Sequence, residues 1–571
     1  MLIMEMEENI RKYALINALK FGGKANPGTI IGHLMKDDPT VKNNLKTINP
    51  LIQKIVAEVN SMNIESQKAM VEEKYPDALE EKVHEKKEGL KDLPNVNGKV
   101  VMRFAPSPSG PMHIGHAYVL SLNYEYIKKY GGELLLRIED TNPENIDKIA
   151  YTQIPLDANW LCDDSIKKKN ILIQSERLNI YYTRAKELIE KNAAYICTCE
   201  QELFKSLLSS STPCPCRNIS VEESLKRYQM MFDYYKQGDA VMRFKSDITH
   251  KNPAMRDFPL MRINESEHPM QGTKYKVWPL MNFSVSVDDM ETGVTHTLRA
   301  KDHADNALRQ EMIHKVFGFS TPEAISVGRI NFDGFDLSTT QTRLKIKEGL
   351  YSGWDDIRLP FLLALKRRGY KAAALRKFAV GIGVTKTDKT VAISEFFKTI
   401  NSFNKEILEH ISERYSFVKN PVKINVIDAP SMSVKMPLHP DNLKLGYRTF
   451  ETNTDFYIAS KDYEKIPQDK IFRLMDCMNV SRKGDAFHFD SLEYEKYKEE
   501  GCCMIIHWLP FDEKQIVKAE VLLPDNEKRE GFAEKTISKL KVDDVLQFER
   551  FGFVRFDRKV DDKYVFWYTH N

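Results

Sequence analysis

The chain has 571 residues, of which 42% are hydrophobic and 29% charged, the composition of a globular protein with several domains. Its 84 basic and 81 acidic side chains give a formal net charge of only +3, so a nucleic-acid-binding surface would have to be a local patch. The acidic N-terminus does not resemble a signal peptide, and no eighteen apolar residues follow one another, so we expect a cytoplasmic protein outside the membrane.

Residues 1–97 are predicted to form an N-terminal helical extension and a linker. Apolar residues recur at helical spacing in IRKYALINALKFG and in INPLIQKIVAEVNSM. The segment then ends in the charged run ALEEKVHEKKEGLKDLP, which is most simply a solvated helix followed by a linker. No catalytic motif stands out in this part of the sequence.

From Lys99 the pattern changes to that of a parallel α/β domain. KVVMRFA predicts a strand, HAYVLSLNYEYIKKY a helix and ELLLRIED a second strand, with a GG turn before the second strand. This order is typical of a βαβ unit in a parallel sheet. Further strand-like and helical runs alternate up to about residue 335.

The loop between the first strand and the helix, in RFAPSPSGPMHIGHA, predicts a phosphate site. In a βαβ unit ligands bind at the carboxyl end of the strand, where the following helix presents free N–H groups. His113 and His116 lie one helical turn apart and can both donate hydrogen bonds to phosphate oxygens. The residues that make the turn rigid and open to a ligand are Pro106, Pro108, Gly110 and Pro111. An isolated H-x-x-H is more often an ordinary turn, and the strand–loop–helix context favours the phosphate site.

Eight cysteines in a chain this long do not form a disulfide framework. Four of them form two close pairs, Cys197-x-Cys199 and Cys214-x-Cys216, with fourteen residues between the pairs. Two such pairs can close a tetrahedral structural Zn²⁺ site, although C-x-C is tighter than the usual C-x-x-C. We predict zinc here, with four free thiols in a loop as the alternative. The remaining cysteines are predicted to be core residues: Cys162, Cys477, Cys502 and Cys503.

The last two parts of the sequence differ in secondary structure. Residues 355–415 are predicted to be helical and basic, as in LPFLLALKRRGYKAAALRKFAV. On charge alone this basic run would be a solvated helix face. Residues 416–571 contain short strand-like runs between turn residues, among them VKINVI, CMIIHWL and YVFWYTH, and are predicted to be all β.

Several of these motifs together resemble one protein family. RFAPSPSGPMHIGHA is similar to the HIGH motif of class I aminoacyl-tRNA synthetases, and with LRIEDTNP it looks like the glutamyl/glutaminyl branch. The resemblance continues through HKNPAMRDFPLMRI, GVTHTLRAKDH, LSTTQTR, GWDDIRLP and VLQFERFGFVRFD, and covers most of residues 98–571. Bacterial glutamyl enzymes have a helical anticodon-binding end, whereas archaeal and eukaryotic ones, like glutaminyl enzymes, have paired β-barrels. The sequence therefore resembles the archaeal type of glutamyl-tRNA synthetase.

The resemblance implies a multi-domain α/β architecture. A class I Rossmann-type catalytic domain (98–354) would carry an inserted acceptor-binding part (about 195–285). A helical stem-contact region (355–415) and a β-barrel anticodon-binding region (416–571) would follow. In this arrangement the four paired cysteines lie in the insertion, so zinc would shape a tRNA contact and take no part in the chemistry. We expect a monomer.

The resemblance also implies a reaction. The carboxylate of L-glutamate attacks the α-phosphate of ATP, used with Mg²⁺, to give glutamyl-adenylate and pyrophosphate. The acyl group then passes to the 3′ end of tRNA-Glu, with tRNA-Gln left open as a second acceptor. His113 and His116 would stabilise charge on the phosphate, and Gly115 would leave room for adenine. The further implied ATP contacts in this loop are Pro106, Ser107, Pro108 and Gly110.

The second ATP-binding loop of the family corresponds to LSTTQTRLK. Ser338 and Thr339 would contact ATP there. Related archaeal-type sequences tend to have a lysine where this chain has Gln341, so the cation that faces the phosphates would be Arg343 or Lys345. A plain surface loop is the alternative for this polar stretch.

Recognition of glutamate, as opposed to glutamine, calls for a guanidinium, which can form two parallel charged hydrogen bonds with a carboxylate. Arg299 in THTLRAKDH matches the glutamate-recognising arginine of the family, which glutaminyl members lack. The other implied glutamate contacts are Arg103, on the side-chain carboxylate, Ala105, Ser107 and Glu139, on the α-amino group. Met281 and Val285 depart from the bacterial pattern, which has tyrosine and asparagine there.

The implied tRNA contacts of the helical region are Asp355, Asp356, Arg358, Lys366, Arg367 and Arg368. Two alternative functions remain. Glutaminyl-tRNA synthetase is disfavoured by Arg299, whose desolvated charge would gain no counter-ion from an amide. A non-catalytic tRNA-binding relative is suggested by Gln341 but disfavoured by the intact His113, Gly115 and His116.

Overall fold

The computed structural model describes residues 2–37, 41, 44–75, 89–499 and 504–571. The chain divides into two compact units, Met1–Glu88 and Gly89–Asn571. Most of the predicted charged linker falls on residues 76–88, outside the described residues, and so do Cys502 and Cys503.

The N-terminal unit is helical, as its apolar spacing predicts. Its helices are α1 (Leu2–Lys20), α2 (Pro27–Asp37), α3 (Leu45–Ser61) and α4 (Ile64–Lys74). They enclose a core of their own that includes Ile10, Leu15, Ile52 and Val59, all fully buried or nearly so. Asn63 begins α4, because its side chain accepts a hydrogen bond from the backbone N–H of Ser66.

The second unit begins with an α/β domain. In chain order its elements are β1 (Val101–Phe104), α5 (Ile114–Tyr130), β2 (Glu133–Ile138), α6 (Ala150–Leu161), β3 (Ile171–Ile173), α7 (Leu178–Glu190), β4 (Ala194–Cys197), α8 (Gln201–Ser209), α9 (Val221–Asp233), β5 (Val241–Phe244), β6 (Pro259–Ile263), β7 (Val277–Pro279), α10 (Met281–Glu291), β8 (His296–Ala300), α11 (Ala304–Phe317) and β9 (Glu323–Val327).

A parallel sheet forms the centre of this domain, with the strand order β3-β2-β1-β8-β9. The order reverses between β1 and β8, which opens a crevice at the carboxyl ends of these two strands. The GG turn before β2 requires glycine, since a Cβ on Gly132 would lie 2.2 Å from the carbonyl oxygen of Val100. The prediction of a Rossmann-type parallel sheet is confirmed.

Between β3 and β8 the chain inserts a separate antiparallel sheet of order β4-β5-β6-β7. Its core contains Met242, Leu260 and Trp278, all fully buried, and packs with side chains from α7 and α10. The paired cysteines lie at its first strand and in the segment between α8 and α9.

The next segment is mainly helical. Its elements are β10 (Ile330–Asp333), α12 (Thr339–Lys347), α13 (Leu362–Arg367), α14 (Ala372–Ile382), β11 (Lys389–Ala392) and α15 (Ile393–Leu408). The predicted helical region 355–415 therefore also contains a strand, because Lys389–Ala392 pairs in parallel with β10. Helix α14 packs against α5 and so joins this segment to the core of the parallel sheet.

The C-terminal region is mostly β. Its elements are β12 (Arg414–Tyr415), β13 (Phe417–Lys419), β14 (Pro421–Ile427), β15 (Ser433–Pro437), β16 (Tyr447–Glu451), β17 (Asp455–Ala459), α16 (Ser460–Tyr463), β18 (Ile471–Leu474), β19 (Asn479–Lys483), β20 (Ala486–Ser491), α17 (Tyr494–Glu499), β21 (Ile505–Ile506), β22 (Trp508–Pro510), β23 (Ile516–Leu522), β24 (Lys528–Glu534), β25 (Val545–Phe548), β26 (Gly552–Val560) and β27 (Lys563–His570).

Two sheets of this region curl towards closure. One has the order β12-β25-β26-β27-β23-β24-β13, and the other has the order β21-β18-β19-β20-β14-β17-β22. In each, the two edge strands are separated in the chain by a single residue, Ser416 in the first sheet and His507 in the second. Opposite edges that lie one residue apart force the sheet to curl on itself, which gives the predicted barrel-like C-terminal region.

Candidate active site

A cavity of about 230 Å³ lies at the carboxyl ends of β1 and β8, where the strand order reverses. Arg103 comes from β1, Glu139 from the residue after β2, and Arg299 from β8. Its wall also contains Ala105, Met281, Val285, His303, Asn306 and Gln310. The structure thus brings four of the five predicted glutamate contacts to one cavity. Ser107 is exposed and lies outside this lining.

Asp289, on α10, lies between three arginines. Its Oδ1 accepts hydrogen bonds from Arg137 Nη1 (2.6 Å) and Arg103 Nε (3.2 Å). Its Oδ2 lies 3.7 Å from Arg299 Nη2. Burial raises the pKa of Asp289, but Arg103 and Arg137 outweigh this effect and lower it to about 2. The carboxylate is therefore ionised and holds the arginines together.

Arg299 has too little negative charge around it. Its Nε donates to Thr297 Oγ1 (3.0 Å), and the nearby Asp289 is shared with two stronger partners. Burial, followed by the like charge of Arg103, lowers the pKa of Arg299 to about 10. A ligand carboxylate in the cavity would oppose both effects, because its negative charge favours the charged form of Arg299.

Sequence reasoning missed Asp289 and Arg137, which are nearly fully buried. Arg137 also donates to Glu139 Oε1 from Nε (3.3 Å) and from Nη2 (3.2 Å), so it positions that carboxylate. A signal was present in MNFSVSVDDME, where Asp288 and Asp289 are adjacent acidic residues in a mostly apolar helix. Buried carboxylates of this kind require partners.

The loop from Ala105 to Met112 is tied to the segment that follows β2. Glu139 N donates to Pro106 O (3.1 Å), and Asp147 N donates to Pro108 O (2.9 Å). Gly110 is packed so closely that an added Cβ would lie 3.2 Å from the ring of Trp354. The predicted turn is therefore a fixed cradle in front of α5.

His113 and His116 form a stacked pair at the start of α5. His113 Nδ1 accepts from Gly115 N (3.1 Å), and His116 Nδ1 accepts from His113 N (3.3 Å). Their ring centroids are 3.9 Å apart. Burial, with the neighbouring His116, holds the pKa of His113 well below its usual value, and burial lowers that of His116 to about 4. Both rings are thus neutral at pH 7, and because Nδ1 accepts, each carries its proton on Nε2.

The second predicted ATP loop lies against the first. Ser338 caps α12 by accepting from Gln341 N (3.3 Å), and Thr339 Oγ1 donates to Ser109 Oγ (3.1 Å). Arg343 Nε donates to Asp147 Oδ2 (3.0 Å), and Arg343 also donates to the carbonyl of Ser109. These contacts bring the two predicted ATP loops together.

Of the two predicted phosphate-facing cations, Arg343 is engaged with the first loop. Lys345 Nζ lies 3.8 Å from Asp336 Oδ2, a looser ion pair in which the ammonium keeps room to move. Gln341 is exposed on the first turn of α12. The geometry thus leaves Lys345 as the less committed of the two cations.

The four paired cysteines converge in the insertion. Cys197 Sγ lies 3.9 Å from Cys214 Sγ, and Cys199 Sγ lies 3.7 Å from Cys216 Sγ. The sulfur atoms of Cys197, Cys199 and Cys214 all lie within 4.8 Å of one another. Four sulfurs about 2.3 Å from a tetrahedral zinc would be about 3.8 Å apart. The donor set therefore suits Zn²⁺, with three sulfurs gathered close to this spacing and the fourth, Cys216, 3.7 Å from Cys199. The predicted core cysteines Cys162 and Cys477 are buried.

Comparisons with known proteins identify the family of the chain. Residues 99–410 match the catalytic domain of class I tRNA synthetases (E and Q), and residues 412–494 and 505–557 match two anticodon-binding domains of the same class. The chain belongs to this family. Glutamate–tRNA ligases of Methanocaldococcus jannaschii and Pyrococcus furiosus are 42% and 40% identical to it, in each case over 99% of this chain and 100% of the relative. A solved glutamate–tRNA ligase of Elizabethkingia meningosepticum is 20% identical, with a TM-score of 0.36, over 55% of this chain and 70% of that one.

Within this class I synthetase, the predicted stem-contact residues have different environments. Lys366 is exposed at the end of α13. Arg358 donates to Asp356, which is buried, and its guanidinium lies over Tyr351. Asp355 pairs with Arg367.

Among the described residues, no helix is long and apolar enough to span a bilayer.

The last two arginines of the run contact the C-terminal sheet of the synthetase. Arg367 pairs in bidentate fashion with Asp557 (2.8 Å to each oxygen) and lies over the ring of Trp567. Arg368 is 4% exposed and donates to the carbonyl of Thr569 (3.1 Å). The structure turns Arg368 inward, which leaves it no face for the predicted phosphate contact.

Proposed function

We propose that the chain is a glutamate–tRNA ligase. It activates L-glutamate with ATP to glutamyl-adenylate, releases pyrophosphate, and transfers glutamate to the 3′ end of tRNA-Glu. The full-length relatives that carry this name support the proposal. The observation that carries it is the cavity of three arginines around Asp289, because its charge suits glutamate better than glutamine.

The charge balance of the cavity can be counted. Three arginines, Arg103, Arg137 and Arg299, face two carboxylates, Asp289 and Glu139, which leaves one positive charge over. Asp288, which also lies near Arg137, is balanced by Arg177 and does not change this count. Glutamate has two carboxylates and one ammonium and carries a net charge of −1, which neutralises the site. Glutamine is neutral overall and would leave a desolvated guanidinium without a counter-ion, which costs free energy.

Within this proposal the arginine cluster also orients the substrate. Arg299 and Arg103 would hold the side-chain carboxylate, and Glu139, fixed by Arg137, would accept from the α-ammonium. The α-carboxylate is then left to face the loop that ends at His113. This is the group that has to attack the α-phosphate of ATP.

In the first step, negative charge builds up on the α-phosphate. The Nε2–H groups of His113 and His116 would donate hydrogen bonds to its oxygens. Since both rings are neutral, they act as fixed dipoles and no proton transfer from them is needed. Mg²⁺ enters bound to ATP and neutralises the phosphates. Gly115 lies against the His113 ring, 3.0 Å from which an added Cβ would sit, and it would leave room for adenine. Lys345 would face the departing pyrophosphate.

We further propose that the four cysteines hold a structural Zn²⁺ that shapes the tRNA-facing insertion. The N–H of Thr198 donates to Cys216 Sγ (3.5 Å), and Arg227 Nη1 also lies 3.4 Å from this sulfur. Donors around a thiolate stabilise its negative charge, as a zinc site requires. The metal would replace thiol–thiol contacts with bonds that fix β4 to the segment between α8 and α9.

The anticodon end of tRNA has a candidate site in the C-terminal region. A cavity of about 260 Å³ lies between the two curled sheets, and its lining includes Lys419, Lys461, Lys465, Arg550 and Phe551, with the carboxylates Asp462 and Glu549 beside them. Arg550 is paired with Asp462, so the three lysines are the cations that could face a ligand. Cations beside an aromatic ring suit a nucleotide, whose phosphate and base they can hold separately. The anticodon-binding assignment of residues 412–494 and 505–557 agrees with this site.

Aminoacylation with four pairs of substrates tests the proposal. Transcripts of tRNA-Glu and tRNA-Gln are each offered radiolabelled glutamate or glutamine with ATP and Mg²⁺. We expect glutamate on tRNA-Glu, and glutamate on tRNA-Gln as well would make the enzyme non-discriminating. Charging with glutamine would contradict the argument from charge. Charging of neither transcript would favour the non-catalytic alternative.

A further inference from the structure

The residue before His113 is fixed on both sides by hydrogen bonds of its backbone. Met112 N donates to Asp157 Oδ2 on α6 (3.2 Å), and Met112 O accepts from Leu362 N at the start of α13 (2.8 Å). The backbone that leads into α5 thus lies between two elements of the fold. Helix α13 holds it by a backbone hydrogen bond, and α6 holds it by the side-chain carboxylate of Asp157.

Asp157 is an unusual residue for this position. It is 2% exposed, although its side chain is ionisable. Its other oxygen, Oδ1, accepts from Gln153 Nε2 one turn earlier in α6 (2.6 Å). Among the described residues, the charged group that acts on it is Lys366, on α13. Burying a carboxylate costs free energy unless hydrogen bonds or a counter-ion compensate it, so the bonds that Asp157 makes need an explanation.

The histidine pair depends on this backbone. His113 Nδ1 and His116 Nδ1 both accept from main-chain N–H groups, those of Gly115 and of His113 itself. A rotation of the peptide between Met112 and His113 would therefore move the second ring as well as the first. Leu362 N holds this peptide through its carbonyl, and Asp157 holds the N–H of the peptide directly before it. The carboxylate therefore fixes the path of the backbone into His113, and with it the direction of both Nε2–H groups.

We propose that Asp157 is a positioning residue for adenylate formation, whose ionised carboxylate holds the Met112 N–H and thereby fixes the two histidines that face ATP. The proposal rests on the proposed function, since it concerns the same reaction. Asp157 itself touches no substrate. Its effect is on the geometry of the step, where small displacements of hydrogen-bond donors cost large factors in rate.

The proposal predicts that the rate of adenylate formation depends on the charge state of Asp157, and therefore on pH. Burial raises its pKa to about 7, against the lowering effects of its hydrogen bonds with Gln153 and Met112 and of the charge on Lys366. An ionised carboxylate accepts a stronger hydrogen bond than a protonated one. The rate of adenylate formation should therefore rise as the pH increases through about 7.

The test measures ATP–pyrophosphate exchange by the full-length enzyme in the presence of glutamate and tRNA-Glu, from about pH 6 to about pH 8.5. In Asp157→Asn the rise near pH 7 should be lost, and kcat should stay close to the low-pH value of the wild type. In Asp157→Ala, kcat should fall by about 10- to 100-fold at all pH values. KM for glutamate should change less than about twofold in both, because the arginine cavity does not use Asp157.

Two further variants separate positioning from a general role in folding. Lys366→Met removes the neighbouring cation, so the midpoint of the rise should move to higher pH, and in the double variant with Asp157→Asn no rise should remain. Asp163→Asn changes an exposed aspartate just after the same helix and should leave the profile unchanged.

If the wild type charges glutamate and Asp157→Asn keeps both its kcat and its pH profile, the proposal is wrong. A loss of activity in Asp157→Ala that goes with a lower melting temperature, while Asp157→Asn behaves as the wild type, would also overturn it. If the wild type itself forms no glutamyl-tRNA, it is the proposed function that fails.

Discussion

Glutamate and glutamine differ at one end by a single charge, and in the proposed function Arg299 is the side chain that distinguishes them. It is 11% exposed, and its pKa is lowered to about 10 by burial and by Arg103. Its free energy therefore improves when a carboxylate enters, whereas an amide brings little compensation. Asp289 supplies only part of this compensation, because its Oδ2 lies 3.7 Å from Arg299 Nη2 while its Oδ1 is hydrogen-bonded to Arg137 and Arg103.

We predict that Arg299→Cys removes the preference for glutamate. Truncating one partner of a buried charge pair costs about 2–5 kcal/mol, so kcat/KM for glutamate should fall by at least about 30-fold. The value for glutamine should stay the same or rise, because the desolvated charge is gone. Aminoacylation of tRNA-Glu with each amino acid measures the ratio.

Arg299→Lys is the matched control. It keeps the charge and loses the planar fork, so it should retain part of the preference for glutamate. An unchanged ratio of glutamate to glutamine in Arg299→Cys would show that another side chain makes the choice.

The elements around the site differ in how far the sequence predicts them. The segment from β1 to β2 follows from local signals: short apolar strands, a Pro/Gly loop, helical spacing and a GG turn that only glycine can make. The arginine cavity does not follow from local signals, because Arg103 on β1 precedes Asp289 on α10 by 186 residues, and β8 follows directly after α10. The parallel pairing of β1 with β8 brings Arg103 close to Arg299. Only this arrangement shows that the buried Asp289 is their shared counter-ion. Arg299 could be predicted from the sequence by its resemblance to a family. Its counter-ion, Asp289, could be identified only from the folded structure.

The insertion offers a prediction at the level of one element. The wild type should contain about one zinc per chain, and Cys199→Ser with Cys216→Ser should contain almost none. Because the metal would tie β4 to the segment between α8 and α9, hydrogen exchange should increase over residues 194–244 in this variant. Elemental analysis and exchange mass spectrometry measure the two effects. Cys162→Ser changes a buried cysteine outside the cluster and should keep the metal. Full zinc content in the double variant would rule out the cluster as the site.

At the scale of the whole molecule, α13 connects the catalytic domain to the C-terminal region over only six residues. Its first residue bonds to Met112, beside the histidine pair, and its last residue, Arg367, pairs with Asp557 on β26. Arg368, directly after the helix, donates to the carbonyl of Thr569 on β27. A basic run that looks uniform in sequence is therefore divided by the fold between an exposed lysine and two arginines that hold domains together.

This division makes a quantitative prediction for tRNA binding. Each phosphate that a protein neutralises adds about 0.7 to 0.9 to the slope of log Kd against the logarithm of salt concentration. Lys366→Met should lower this slope by about 0.7 to 0.9, the contribution of one phosphate contact, and should weaken binding to every tRNA by a similar factor.

Arg367→Met should leave the slope unchanged, because its guanidinium is already paired with Asp557 and lies over Trp567. It should instead lower the free energy of unfolding by about 3 kcal/mol, since it leaves the buried Asp557 with fewer partners. Filter binding at several salt concentrations, together with urea unfolding, measures both quantities. A reduced slope in Arg367→Met with unchanged stability would show instead that this arginine leaves Asp557 to bind a phosphate.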